Sequence, residues 1–415
     1  MIVPGVVQQH ADDGAILASN RLSLVESPYV RLDRLAEFDR RLSAHLAGLE
    51  LSGEEGWAFC EAALETPSPG CVATVALRAL VDRDSARLGR ILALAQAMPE
   101  AIEGFLSAFE WVEPAKLQGI VASLLRERDA FRRMVGVATC AMHRLDPGLM
   151  SGEFLRDSHP TVRARALRAV GELGLMDTRP ACVAAFTDED QGCRFWASWS
   201  AVLLGDRGRA VDALTQRGLS PGALRARAFR LALQVMEMTA AHGLLQQLAR
   251  NPGSVRWLIQ GSGVVGDPAY VPWLIQKMSE VPTARLAGEA FSTIVGLHLG
   301  QAALDRPAPE DFESGPNDNP DDPNVEMDPD DGLSWPDVDK IQKWWAANSS
   351  RFTSGTRYLM GASVTREHCI QVLKNGYQRQ RILAAHYLCL LNPGTPLFNT
   401  SAPARRQQTL LAHMG

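Results

Sequence analysis

With 415 residues, 46% of them hydrophobic and 7% aromatic, the chain is long enough for two or three ordinary domains or one long repeat array. It contains no run of 18 apolar residues, as a membrane-spanning helix requires, and Met1 to His10 lacks the basic and apolar regions of a signal peptide. A formal net charge of −5 disfavours general nucleic-acid binding, and seven scattered cysteines with no C-x-x-C pair suit reduced thiols in a cytoplasmic protein, not disulfides or zinc.

Residues 1–69 read as helices over about 11–25, 32–49 and 53–65. They lack the period that follows and are expected to form an N-terminal helical cap. From residue 70 to 304 a register of 31 residues takes over. Arg132, Arg163, Arg194, Arg225 and Arg256 are each 31 residues apart, and Arg285 follows after 29. A fixed period of this size marks one supersecondary unit stacked repeatedly. Small or apolar residues follow at fixed offsets: Ala166, Ala197 and Ala228 three on, and Val170, Ala201 and Ala232 seven on. They form one helical stripe on which neighbouring helices pack closely.

Turn formers such as Ser158-His159-Pro160, Asp188-Glu189-Asp190 and Asn251-Pro252-Gly253 precede these helices, and Gly171, Gly205-Asp206 and Gly266-Asp267 follow them. A shorter helix, such as 268–278, fills each interval. The expected fold is an all-α, HEAT-like α-solenoid of helix–turn–helix repeats. The register extends backward to helices near 100–112, with Gly104 at the alanine position, and near 70, with Ala73 there. Asp157 and Asp188 each stand six residues before a ladder arginine, a spacing similar to the HEAT-repeat signature. Asp157, Arg163, Asp188, Arg194, Arg225 and Arg256 are therefore expected to act as a structural ladder, hydrogen-bonding one unit to the next.

Offsets of two, five and nine residues from each arginine fall opposite the alanine stripe at 100° per residue. In a solenoid that phase is expected to line the concave surface. Arg165, Trp196 and Arg227 occupy the first column, and Arg168, Trp199 and Arg230 the second. Arginine stacks well on tryptophan, and both are enriched in interface hot spots. These six residues are the expected partner-binding surface.

Residues 305–339 carry thirteen acids and one base, a net −12 that leaves +7 for the rest of the chain. The segment's prolines oppose regular structure. It is either a solvated linker or a loop docked on the arginine-rich face. Asp328-Pro329-Asp330-Asp331-Gly332 is similar to an EF-hand loop, but its glycine is one position early and Asp339 stands where glutamate is needed, which disfavours calcium. Residues 340–415 are expected to form a C-terminal helical cap. A helix opens at Trp335-Pro336-Asp337, and a helical hairpin spans 366–391.

Gly261-Ser262-Gly263-Val264-Val265-Gly266 has the letters of a dinucleotide fingerprint. It lies at a helix end, with no acid at the required distance, so packing is the expected role. Histidines 10, 45, 143, 159, 242, 298, 368 and 386 form no metal-binding spacing. No catalytic residues, cofactor or metal are expected.

Blocks beyond the generic repeat include Cys193-Arg194-Phe195-Trp196-Ala197-Ser198-Trp199-Ser200-Ala201 and stretches 266–275, 285–291, 321–330 and 355–361. Together they resemble a largely uncharacterised bacterial family of HEAT-repeat proteins often encoded within type VI secretion gene clusters. The resemblance covers nearly the whole chain and implies a cytoplasmic accessory role beside a secreted effector, its adaptor or a secretion component. The leading expectation is a non-enzymatic protein-binding scaffold. A toxin-neutralising immunity protein is the alternative of the same class, and a HEAT-like lyase or glycosylase the enzymatic one.

Overall fold

The computed structural model describes residues 3–149, 152–310, 312, 315 and 327–415. Helices dominate, and the strands in the described residues are two short antiparallel pairs, Asp305–Arg306 with Trp335–Pro336 and Tyr358–Leu359 with Ala362–Ser363. The chain forms two compact units, one of residues 1–214 with 373–415 and one of residues 215–372.

The first unit begins with helices Pro4–Leu24, Leu32–Leu51 and Gly53–Ala63. The first starts seven residues earlier than its apolar pattern suggests. Pro4 sits in the first turn, where its fixed φ suits a helix and its missing N–H is no loss. Repeat helices follow at Pro69–Asp82, Ile102–Trp111, Ala130–Met142, Pro160–Leu173 and Gln191–Leu203. Ala73, Val135, Ala166 and Ala197 are all buried on the stripe. Gly104 holds the same place, and a Cβ there would overlap the Pro69 carbonyl oxygen. The absence of a side chain thus permits the contact between helices 69–82 and 102–111. Carboxylates mark the helix starts: Asp129 caps through Arg132 N–H and Asp190 through Cys193 N–H.

The C-terminal stretch returns to this unit through helices Gln378–Leu391 and Ala404–Ala412, the latter not foreseen from the pattern. Between them the chain satisfies carbonyls that end the repeat helices. Leu397 N–H donates to Glu172 O at 2.9 Å, and the Leu397 carbonyl accepts from Arg144 Nε at 2.8 Å. Arg406 Nη1 donates to Glu110 O at 2.9 Å. The N-terminal helices join the same strap. Arg21 pairs with buried Asp39 at 2.7 Å, Arg21 also donates to Ser401 O and Ala402 O, and Asp39 accepts Ala404 N–H.

In the second unit, helices Arg225–Val235, Val255–Val265 and Ala284–Val295 continue the repeat. Ile259, Leu274, Leu286, Phe291 and Ile341 share its core, the last from helix Val338–Asn348. Residues 355–361 run along the helix ends as a second strap. Arg357 donates to Leu233 O and Met236 O, Tyr358 N–H to Gly266 O, and Gly361 N–H to Ile294 O. Buried Asp267 anchors it by accepting Gly355 N–H. The glycine-rich run is a packing element. Gly261 faces Leu245 and Phe229, Gly263 faces Ala290, and Gly266 ends helix 255–265 at φ 73°.

Candidate protein-interaction surface

The ladder has a repeated hydrogen-bond geometry. Arg163 Nε and Nη2 grip the Asp188 carboxylate at 3.0 and 2.9 Å, while Nη1 donates to the Asp157 and Ser158 carbonyls at 3.0 and 3.2 Å. One guanidinium thus ties the loop before its own helix to the loop before the next. Arg133 repeats the pattern, with Nε and Nη2 on Asp157 and Nη1 on the Glu127 and Arg128 carbonyls. Each aspartate also accepts a backbone N–H two residues on, from His159 or Asp190. The position expected at Arg132 is held by Arg133. Arg132 stands one residue off phase, 3.6 Å from Glu127.

These rungs are well shielded, which keeps a charge-assisted bidentate pair effective. The hydrogen bond to Asp188 raises the Arg163 pKa, and the reciprocal bond lowers that of Asp188 below 3.8. A carboxylate depressed on folding stabilises above its unfolded pKa, and that contribution fades as pH falls through the folded value. Arg163→Ala and Asp188→Ala are each expected to cost about 1–3 kcal/mol in urea unfolding at neutral pH. The double variant should cost clearly less than their sum; strict additivity would mean the two side chains are not coupled.

Farther along, the partners change. Arg194 Nη1 donates to the Asp188 and Glu189 carbonyls at 2.6 and 2.9 Å, but the residue 25 positions on is Leu219, not aspartate. Arg225 donates to Gly218 O and lies 4.0 Å from the Trp257 ring centroid. Arg256 grips Asp330 at 2.9 and 2.5 Å, and Arg285 meets Asp328 at 2.6 Å and the Asp330 carbonyl at 3.0 Å. Arg285 is also flanked by Phe312 and Trp335, each ring centroid 4.8 Å away. The acidic segment therefore supplies two arginines with carboxylates the repeats do not provide. Its residues 311, 313–314 and 316–326 lie outside the described residues.

The two outward columns divide. Trp199 is 1% exposed, so its expected place on an open surface is corrected. Its ring meets Trp196 at 5.4 Å and His386 at 6.2 Å, the latter from helix 378–391 of the same unit. Periodicity identified the face but could not reveal a cover from almost 200 residues away. Arg165 is likewise corrected, with its side chain 9% exposed and Nη2 3.0 Å from Glu172. Arg168 remains 35% exposed, its Nε 2.8 Å from Glu172 and its guanidinium carbon 4.7 Å from the Trp196 centroid. Trp196 is half-buried, as are Arg227 and Arg230 on helix 225–235 of the second unit.

Glu172 is the residue this face was missing. It stands nine positions after Arg163, in the same phase as both columns, but an isolated acid does not signal a buried counter-ion. Burial pushes its carboxyl pKa up, while Arg165, Arg168 and Arg144 together pull it down to about 2. Burial lowers the Arg165 pKa to about 10, so both partners are charged at neutral pH. The stack of Arg168 on Trp196 therefore rests on a buried ionic base and a buried tryptophan.

Folding also brings His10 and His45 together, with Nδ1 atoms 3.2 Å apart, across helices whose sequence spacing hid the contact. Among the described residues no group of three or more His, Cys, Asp or Glu is placed to hold a metal ion. Cys182, Cys193, Cys369 and Cys389 are buried, and desolvation pushes each thiol up to about 12. No helix of the described residues is long and apolar enough to cross a membrane.

A family model described as HEAT repeats matches residues 152–234, the span containing Asp157, Arg163, Asp188, Arg194 and Arg225. No curated protein and no solved structure matches the chain. The match covers the two outward columns as well as the Arg163–Asp188 rung. Residues 152–234 are therefore similar to HEAT repeats, within an all-α, HEAT-like solenoid.

Proposed function

We propose that this chain is a non-enzymatic protein-binding scaffold whose repeat face engages a partner through Arg168 and Trp196. The observation that carries this reading is their partly exposed stack, held from behind by Glu172 and Trp199. Arginine and tryptophan fixed before binding lose little side-chain entropy on association. The blocks at 193–201, 266–275 and 355–361 support an accessory or adaptor role for a type VI secretion effector or component.

The test is affinity capture from the native host with tagged full-length chain, read by quantitative mass spectrometry. Trp196→Ala and Arg168→Ala are each expected to reduce the specifically captured partner about tenfold or more, the range of interface hot spots. Helical circular dichroism should stay unchanged. Undiminished capture by both variants would remove this face from the binding reaction.

A further inference from the structure

We propose that Arg194 is an open rung of the ladder, a preorganised site for a carboxylate from an acidic segment of a partner protein. Three observations lead there. Arg133, Arg163 and Arg194 share one anchoring pattern, Nη1 on the carbonyls six and five residues earlier. In Arg133 and Arg163 that anchor aims the Nε/Nη2 edge at the aspartate of the next repeat. In Arg194 the same anchor is made, but among the described residues its Nε/Nη2 edge meets no carboxylate, and the residue 25 positions on in the sequence is Leu219, not aspartate.

Two neighbouring acids are committed elsewhere. Asp188 holds Arg163, and Asp190 caps Cys193 N–H. Arg194 itself is half-exposed. The carbonyl anchors have already restricted the guanidinium, so a ligand gains a bidentate, charge-assisted contact with little further ordering.

The second unit shows what a ladder arginine without a repeat aspartate accepts, here through a different edge, Nη1 and Nη2 in Arg256. Arg256 and Arg285 also lack a repeat aspartate, and both are filled by Asp-Pro-Asp at 328–330, a segment outside the repeats. The chemistry that fits Arg194 is therefore an aspartate-rich, proline-containing segment of that kind, presented by another protein. This identification of the occupant rests on the scaffold reading, whereas the site itself is measured separately.

The experiment uses the full chain and a fluorescein-labelled peptide with the sequence of residues 326–332, Glu-Met-Asp-Pro-Asp-Asp-Gly, followed by anisotropy at low salt. Saturable binding is expected. Arg194→Ala should weaken it about tenfold or more, and Arg194→Lys should restore only part, since an ammonium cannot make the bidentate grip. A peptide with both aspartates of the Asp-Pro-Asp changed to asparagine should bind as weakly as the wild-type peptide binds Arg194→Ala. Equal binding by wild type and both Arg194 variants, with unchanged circular dichroism, would overturn the proposal, as would the lack of saturable binding to wild type. Partner capture by Trp196→Ala is read independently: if it falls while the peptide ignores Arg194, the scaffold reading stands and the open rung fails. If the peptide needs Arg194 while Trp196 and Arg168 prove dispensable, the Arg168–Trp196 reading fails and the open rung stands.

Discussion

Trp199→Ala is expected to lower the unfolding free energy by about 3–5 kcal/mol, among the largest single-residue losses available in this chain. The side chain is essentially sealed from water. It lies beneath Trp196 and against His386, so truncation removes apolar burial and leaves a cavity between a repeat helix and a C-terminal helix. Neither helix can move far to fill it, because the 392–407 strap is hydrogen-bonded to several repeat-helix ends. Urea unfolding gives the loss, and faster thiol labelling of buried Cys193, six positions away, would report the loosening locally. A loss below about 1 kcal/mol would show that the cavity collapses without consequence. Trp196→Ala is expected to cost much less stability while impairing capture. The two tryptophans must therefore be changed separately, since a joint variant would confuse unfolding with lost binding.

Glu172→Gln is expected to cost a similar amount, about 3–5 kcal/mol, for an electrostatic reason. The carboxylate, 8% exposed, serves Arg165 and Arg168 directly. Neutralising it leaves buried Arg165 without its counter-charge, and an unpaired buried guanidinium cannot readily shed its proton. The sign of the pH dependence follows from the depressed pKa. In the wild type the Glu172 contribution is fully present above its ordinary value of 4.5 and disappears as pH falls through about 2. Glu172→Gln should flatten that part of the acid limb, measured as urea midpoints between pH 2 and 7. An unchanged limb and an unchanged midpoint at pH 7 would mean that the carboxylate is not the counter-ion of Arg165.

Arg163, Asp188 and the buried alanines at 166 and 197 show why so much of the fold was legible. Stacked repeats place equivalent residues in equivalent surroundings, so the period of the chain carries spatial information. The pairing of Arg163 with Asp188 follows from that period, because both partners belong to it. Arg132 shows the limit of letter counting. A 31-residue interval selects it, yet helix phase delivers Arg133 to Asp157. One residue is a 100° rotation, enough to exchange an inward rung for an outward side chain.

The candidate surface was legible only in part, and Trp199, Arg165 and Arg168 show why. All three share the outward phase, yet Trp199 is covered by helix 378–391 and Arg165 draws in toward Glu172, while Arg168 stays accessible. Periodicity describes a helix and its immediate neighbours, and nothing within it announces a later segment returning. The same applies to Asp328 and Asp330. Composition identified an acidic, proline-rich stretch, but its attachment to Arg256 and Arg285 depends on three-dimensional proximity across 74 and 43 residues.

By itself the sequence determined the all-α repeat, its small-residue stripe and the Arg163–Asp188 rung, because these depend on contacts that recur at a fixed spacing. Only the tertiary structure decided which outward residues remain accessible, which arginines recruit the acidic segment, and how the straps at 355–361 and 392–407 satisfy the helix ends. Those outcomes join single, unrepeated positions far apart in the chain. Orphan carbonyls at a helix end require a partner but do not specify one, so only folding can choose it.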